Sequence, residues 1–179
     1  MSALHRPTRL LALAVIMCGC VGCDQATKVY AVRNLKGQPP AVYLNGLLRV
    51  HYVENPGAFL GLFGGLPQEV KFGLLVVGNA LVLGAVAIYL LRGRHLDAWM
   101  FLALSLIVAG GVGNLIDRWR LDGRVIDFLN VGFGDKVWMR TGIFNVADVA
   151  ITLGFLMLLP RVFRSETPDR PTTPTVPAS

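Results

Sequence analysis

Between Gly110 and Ile151 the chain places five aspartates, with Asn114, Asn145 and Arg118 close by, beside or inside segments otherwise apolar enough to enter a membrane. Asp148 lies a few residues into the last apolar run, where an unpaired charge costs about 2.5 to 3.5 kcal/mol at mid-bilayer and less near the interface. A carboxylate in that position marks a functional site by default. Two carboxylates brought together where water is scarce do not both ionise readily, so one holds a proton while the other stays charged. That asymmetry suits peptide hydrolysis: the ionised member takes a proton from water, and the protonated member hydrogen-bonds the scissile carbonyl. Asp127 follows the short, partly β-branched segment Arg124-Val125-Ile126. A loop folded back on the mouth of the last helix would bring it to Asp148. The same residues also permit one or more aspartates simply to balance Arg118, Arg120 or Arg124, and for Asp117 beside Arg118 this is the expected role. Asn114 and Asn145 can satisfy buried backbone or position a substrate carbonyl.

Other chemistries find little support. The histidines His5, His51 and His95 are dispersed and form no His-Glu-x-x-His zinc motif. Ser105 has no Gly-x-Ser-x-Gly elbow around it. Gly110-Gly111-x-Gly113 lacks the third glycine of a dinucleotide loop and reads as close helix packing by small residues. Cys18, Cys20 and Cys23 share one apolar segment with no distant partner for a disulfide, and read as small apolar helix residues. Gly132-Phe133-Gly134-Asp135 matches the Gly-x-Gly-Asp pattern of another class of intramembrane aspartyl peptidases, but Lys136 and Arg140 follow where a membrane helix should begin. A proton-coupled carrier or assembly factor is the rival from a different class. Carriers place polar groups near the midplane, whereas here they collect at one end of the apolar segments.

The elements that must position these residues are membrane spans. Of the 179 residues 54% are hydrophobic and 16% charged, which favours the membrane class. The net charge of +6 is scattered over loops and ends without interleaved aromatics, so nucleic acid is not an expected partner. Spans are expected over about 10–31, 70–91, 97–116 and 142–160. Val21-Gly22-Cys23 resembles the end of a lipoprotein signal sequence, but the later segments span the membrane themselves, so the first helix is expected to be retained. Asp24 and Lys28 stand one turn apart within it and can pair on a face turned from lipid. Residues 37–67 form a β-rich segment, with Leu48, Val50 and Tyr52 alternating against Arg49 and His51 before the turn Asn55-Pro56-Gly57. Residues 165–179 form a Pro/Thr-rich tail expected to be disordered. Four spans put both termini and the Arg92–His95 turn on one side. That side holds seven Lys/Arg against ten in the longer opposite connections, and the density near span ends orients it to the cytoplasm.

Five blocks in order resemble the bacterial lipoprotein signal peptidases, or signal peptidase II: Asp24-Gln25-x-x-Lys28, Asn55-x-Gly57-Ala58-Phe59, Gly110-Gly111-x-x-Asn114-x-x-Asp117-Arg118, Val125-x-Asp127-Phe128 and Phe144-Asn145-x-Ala147-Asp148. The resemblance implies a catalytic dyad of Asp127 and Asp148. Asn55, Gly57, Asn114, Arg118 and Asn145 would line the site or hold the substrate, with Asp24 and Lys28 in the first block and Asp117 as structural support. It implies an all-α membrane protein, with four transmembrane helices, a small extracytoplasmic β-sheet region and a single polytopic domain over 1–164. No metal or organic cofactor is implied. The substrate would be a diacylglyceryl-modified prolipoprotein embedded among membrane lipids and cut just before its lipidated cysteine. The cyclic peptide globomycin would inhibit, a monomer would suffice, and the location would be the bacterial cytoplasmic (inner) membrane, with the active site near the outer face.

Overall fold

The computed structural model describes residues 6–57, 65–93, 96–134 and 136–162. Three helices are long and apolar enough to cross a membrane: α1 (Arg6–Leu35), the run Glu69–Arg92, and α4 (Ala98–Arg120). The second is composite. A short α2 (Gln68–Phe72) passes through one π-helical turn, Gly73–Gly78, into α3 (Asn79–Arg92). The fourth expected span corresponds to α5 (Val146–Val162), whose 17 residues rise about 25 Å. Leu11, Val15, Leu81, Val82 and Leu153 stay on outer surfaces, as expected of helices apolar on every side that face lipid.

Helix α4 packs against α1, α3 and α5. Its glycines set how closely. A Cβ at Gly110 would come within 2.4 Å of the Ala147 carbonyl oxygen, one at Gly111 within 2.5 Å of Leu83, and one at Gly113 within 2.7 Å of Asp24 Oδ2. The three positions therefore admit α5, α3 and α1 in turn, the small-residue packing read from the sequence. Leu90, Leu96, Phe101 and Val108 fill the interior toward one end. There Arg9 donates to the Gly93 carbonyl, Asp97 caps α4 by accepting from the Met100 amide at 2.8 Å, and Arg161 pairs with Asp97. The start of α1, the α3–α4 connection and the end of α5 thus meet together.

A three-stranded antiparallel sheet, ordered β1 (Ala41–Tyr43), β2 (Leu48–Asn55), β3 (Val125–Val131), joins the other end. The β-rich segment expected at 37–67 supplies two strands; the third comes from the connection after α4. The rest of that segment, 58–64, lies outside the described residues, as do Asp135 and the tail. Val50 pairs with Leu129 and Val53 with Asp127, so β2 carries one extra residue between them. The uniform alternation read from the sequence is broken there by a bulge, which moves odd-numbered residues of β2 onto the face held before it by Val50. Asn55 consequently shares a face with Asp127. Ile126 and Phe128, on either side of Asp127, pack instead with Ala31 and Leu35 of α1. Glu54 holds β2 in place by accepting from Tyr52, Lys36 and Arg124, which keep its carboxyl below the usual range. Arg140 closes the far end of the sheet by donating to the carbonyls of Gly46, Asn130 and Gly132.

Candidate active site

Asp24 and Lys28, four residues apart on α1, share one helix face. Lys28 is 2% exposed, so its three ammonium protons need three acceptors inside the protein. They have them: Nζ lies 2.8 Å from Asp24 Oδ2, 2.9 Å from Asp117 Oδ2 and 2.9 Å from Asn114 Oδ1. The two carboxylates reach onward. Asp24 Oδ1 accepts from the Ala147 amide at 2.9 Å in the first turn of α5, and Asp117 Oδ2 accepts from the Ile126 amide at 3.0 Å, immediately before Asp127. Gln25 Nε2 braces both, 3.1 Å from Asp117 Oδ1 and 3.2 Å from Asp24 Oδ2. One buried ammonium therefore ties α1 to α4 and, through its partners, to the starts of α5 and β3. The expectation that Asp117 balances Arg118 is corrected here. Neighbours in a helix point to different sides; Asp117 faces α1, while Arg118 faces a cavity bordered by α3 and α5.

Asn114 carries the network outward. Its Oδ1 accepts from Lys28, and its Nδ2 donates to Asp148 Oδ1 at 2.8 Å. Asn145, fully buried just before α5, exchanges two bonds with Asp148: its backbone amide donates to Asp148 Oδ2 at 3.1 Å, and its Oδ1 accepts from the Asp148 amide at 3.0 Å. This is a reciprocal cap at the helix start. The Asn145 Nδ2 then reaches Asp127 Oδ1 at 2.7 Å. A single asparagine thus bonds both aspartates. From the other side Asn55 Nδ2 donates to Asp127 Oδ2 at 2.8 Å, while Asn55 Oδ1 accepts from the Gly57 amide at 3.0 Å. Gly57 has φ of +73° and a Cβ there would lie 2.9 Å from Leu75, so this turn requires glycine.

Asp127 is 2% exposed. Burial pushes its carboxyl up to about 6, with the nearby Asp148 charge adding to the rise, while the Asn55 and Asn145 donors and the Lys28 charge restrain it. Asp148 is half-buried between two cavities. One, of about 310 Å³, is lined by Asn79, Gly111, Asn114, Arg118 and Asp148 among others. The other, of about 440 Å³ and mostly apolar, is bordered by Phe144, Val149 and Leu153. Arg118 Nε is buried without a hydrogen-bond partner among the described residues. The structure thus brings together Asp24, Lys28, Asn55, Gly57, Asn114, Asp117, Arg118, Asp127, Asn145 and Asp148. Sequence reasoning missed Gln25 and Asn79. Asn79 left a signal, as the lone polar residue between Phe72 and Leu91, and Gln25 stood in the block Asp24-Gln25-x-x-Lys28 without a role.

A profile of the Signal peptidase (SPase) II family matches residues 11–164. The chain belongs to that family. The lipoprotein signal peptidase of Syntrophus aciditrophicus (strain SB) is 37% identical over 137 residues, covering 76% of this chain and 82% of that protein. That of Streptococcus thermophilus (strain CNRZ 1066) is 33% identical over 158 residues, covering 88% and 96%. A bacterial membrane enzyme solved by the in meso method at 1.9 Å superposes with a TM-score of 0.72 at 25% identity, over 86% of this chain and 94% of that one. A second, at 2.3 Å, gives a TM-score of 0.70 and shares the fold at 24% identity. The five-block resemblance is thereby borne out. The protein is a membrane enzyme, a signal peptidase II that hydrolyses peptide bonds as an aspartic peptidase and removes signal peptides from prolipoproteins.

Proposed function

We propose that Asp127 and Asp148 are the catalytic dyad and that the bond cut lies immediately before a diacylglyceryl-modified cysteine. The observation that carries this reading is Asn145, which bonds both carboxylates and sets them in one arrangement where burial raises one of them. Asp127, the member pushed upward, holds the single proton shared by the pair. Asp148 takes a proton from water, the water oxygen attacks the scissile carbonyl carbon, and Asp127 gives its proton to the carbonyl oxygen. Collapse of the tetrahedral intermediate breaks the C–N bond and sends a proton to the departing amine. Proton transfer from the intermediate leaves the pair with one proton again. Arg118, whose Nε has no partner among the described residues, holds a substrate carbonyl in the cavity it shares with Asp148. Asn114 and Asn55 keep the two carboxylates aimed.

In this reading four helices span the bacterial inner membrane with both termini cytoplasmic. The sheet and dyad sit at the outer face, where the lipid chains of the substrate remain in the bilayer while its peptide bond meets water. The protein acts as a monomer, and globomycin occupies the dyad cavity. A gel-shift cleavage assay with one diacylglyceryl-modified prolipoprotein tests the scheme. Asp127→Asn and Asp148→Asn each abolish cleavage without blocking membrane insertion, Asp117→Asn keeps part of the activity, and saturating globomycin stops the wild type. Normal turnover by either dyad variant sinks the assignment.

A further inference from the structure

We propose that the seam between α1 and α4 at the sheet end is a second site, which binds an anionic phospholipid, with the phosphodiester held by Arg33 and Arg120 and an acyl chain lying along Val29 and Val32. A cavity of about 330 Å³ opens there, lined by Gln25, Val29, Val32, Arg33, Arg120 and Ile126 among others. Arg33 and Arg120 stand in the last turns of α1 and α4. Both are exposed, and neither guanidinium has a hydrogen-bond or ion-pair partner among the described residues. Three other cations at this end differ: Lys36 and Arg124 are tied to Glu54, and Lys28 is saturated by three acceptors.

The charge at the cavity suits an anion. Its one carboxylate, Asp117, is closed off by Lys28, Gln25 and the Ile126 amide, so a ligand meets the two arginines first. Guanidinium forks match phosphate oxygens two at a time. A helix-end arginine also complements the helix dipole, but that role requires no cavity. The walls decide between a free phosphate and a lipid. Val29 and Val32 are apolar and 44% and 37% exposed, on a helix long and apolar enough to cross a membrane. Neither Asp127 nor Asp148 lines the seam. The lipid would therefore brace the α1–α4 pair that Lys28 joins from inside, without competing for the dyad.

Native mass spectrometry and thermal unfolding of the full chain in detergent, with phosphatidylglycerol, phosphatidylcholine or inorganic phosphate added, test this. The wild type retains phosphatidylglycerol over phosphatidylcholine by about tenfold, as two charge-assisted contacts warrant. The variant Arg33→Gln/Arg120→Gln loses that preference and still cleaves substrate in phosphatidylcholine, whereas Arg33→Lys/Arg120→Lys keeps it. Equal retention of phosphatidylglycerol by the wild type and the glutamine variant overturns the site. Inorganic phosphate matching the thermal shift given by phosphatidylglycerol overturns the lipid assignment.

Discussion

Replacing Asn55 by alanine separates a titrating role for Asp127 from a merely structural one. Asn55 Nδ2 donates to Asp127 Oδ2 at 2.8 Å and favours the ionised form, against the burial that pushes this carboxyl up to about 6. Hydrogen bonds to charged groups are worth about 1.5 to 3 kcal/mol, and one pKa unit corresponds to about 1.4 kcal/mol. Asn55 is half-buried rather than fully enclosed, so water replaces part of the lost bond and the low end applies, an upward shift of about one unit. The direction follows from linkage. A carboxyl raised in the folded state contributes stability that is fully present below its unfolded value and is lost as pH rises through its folded value. In Asn55→Ala that loss moves from about 6 to about 7. If Asp127 holds the catalytic proton, the alkaline limb of kcat/KM moves upward with it. Both readouts come from one purified preparation: initial cleavage rates against pH, and Tm against pH. A limb that stays in place or moves downward while the fold remains intact refutes the proton-holding role.

Lys28→Met leaves Asp24 and Asp117 buried without their cation and is expected to destabilise the fold by about 3 to 5 kcal/mol in chemical unfolding. Adding Asp24→Asn and Asp117→Asn recovers most of that loss, because each amide oxygen still accepts from the Ala147 or Ile126 backbone; no recovery would mean that the charges themselves hold the fold. Gly113→Ala puts a methyl 2.7 Å from Asp24 Oδ2 and 3.3 Å from the Ala147 Cβ, and should cost about 1 to 3 kcal/mol with reduced cleavage. Gly84→Ala on α3, which meets nothing within 4 Å, should be neutral or slightly stabilising by unfolding; equal losses in the two would remove the packing account of the glycines.

The helices were legible because uninterrupted apolar runs have few other solutions, and Asp148 because a carboxylate is conspicuous inside such a run. The Asp24–Lys28 pair followed from helical spacing alone. What escaped depends on contacts distant in sequence. Asp117 was assigned to its neighbour Arg118, yet its partner is Lys28 on another helix. The extra residue in β2 left no mark on the alternation, although it brings Asn55 rather than Glu54 to Asp127. The strand carrying Asp127 was read only as a β-branched stub, since its pairing partner lies about seventy positions earlier. Asn145 could be placed near Asp148 by spacing, but its bond to Asp127 exists only once β3 folds back on α5.

Among the described residues, the side-chain hydrogen bonds that lead from Lys28 to Asp127 and Asp148 pass through the carboxamides of Asn114 and Asn145. Amides orient and polarise their neighbours but neither release nor accept protons in the ordinary pH range. The interior cation is therefore felt at Asp127 as a field that lowers its affinity for a proton, and the hydrogen-bonded path between them among the described residues holds no titrating side chain. Lys28 acts as an electrical bias behind an insulator. In the proposed scheme water reaches Asp148 from the cavities that flank it, so whatever fills those cavities also governs when the pair is reset.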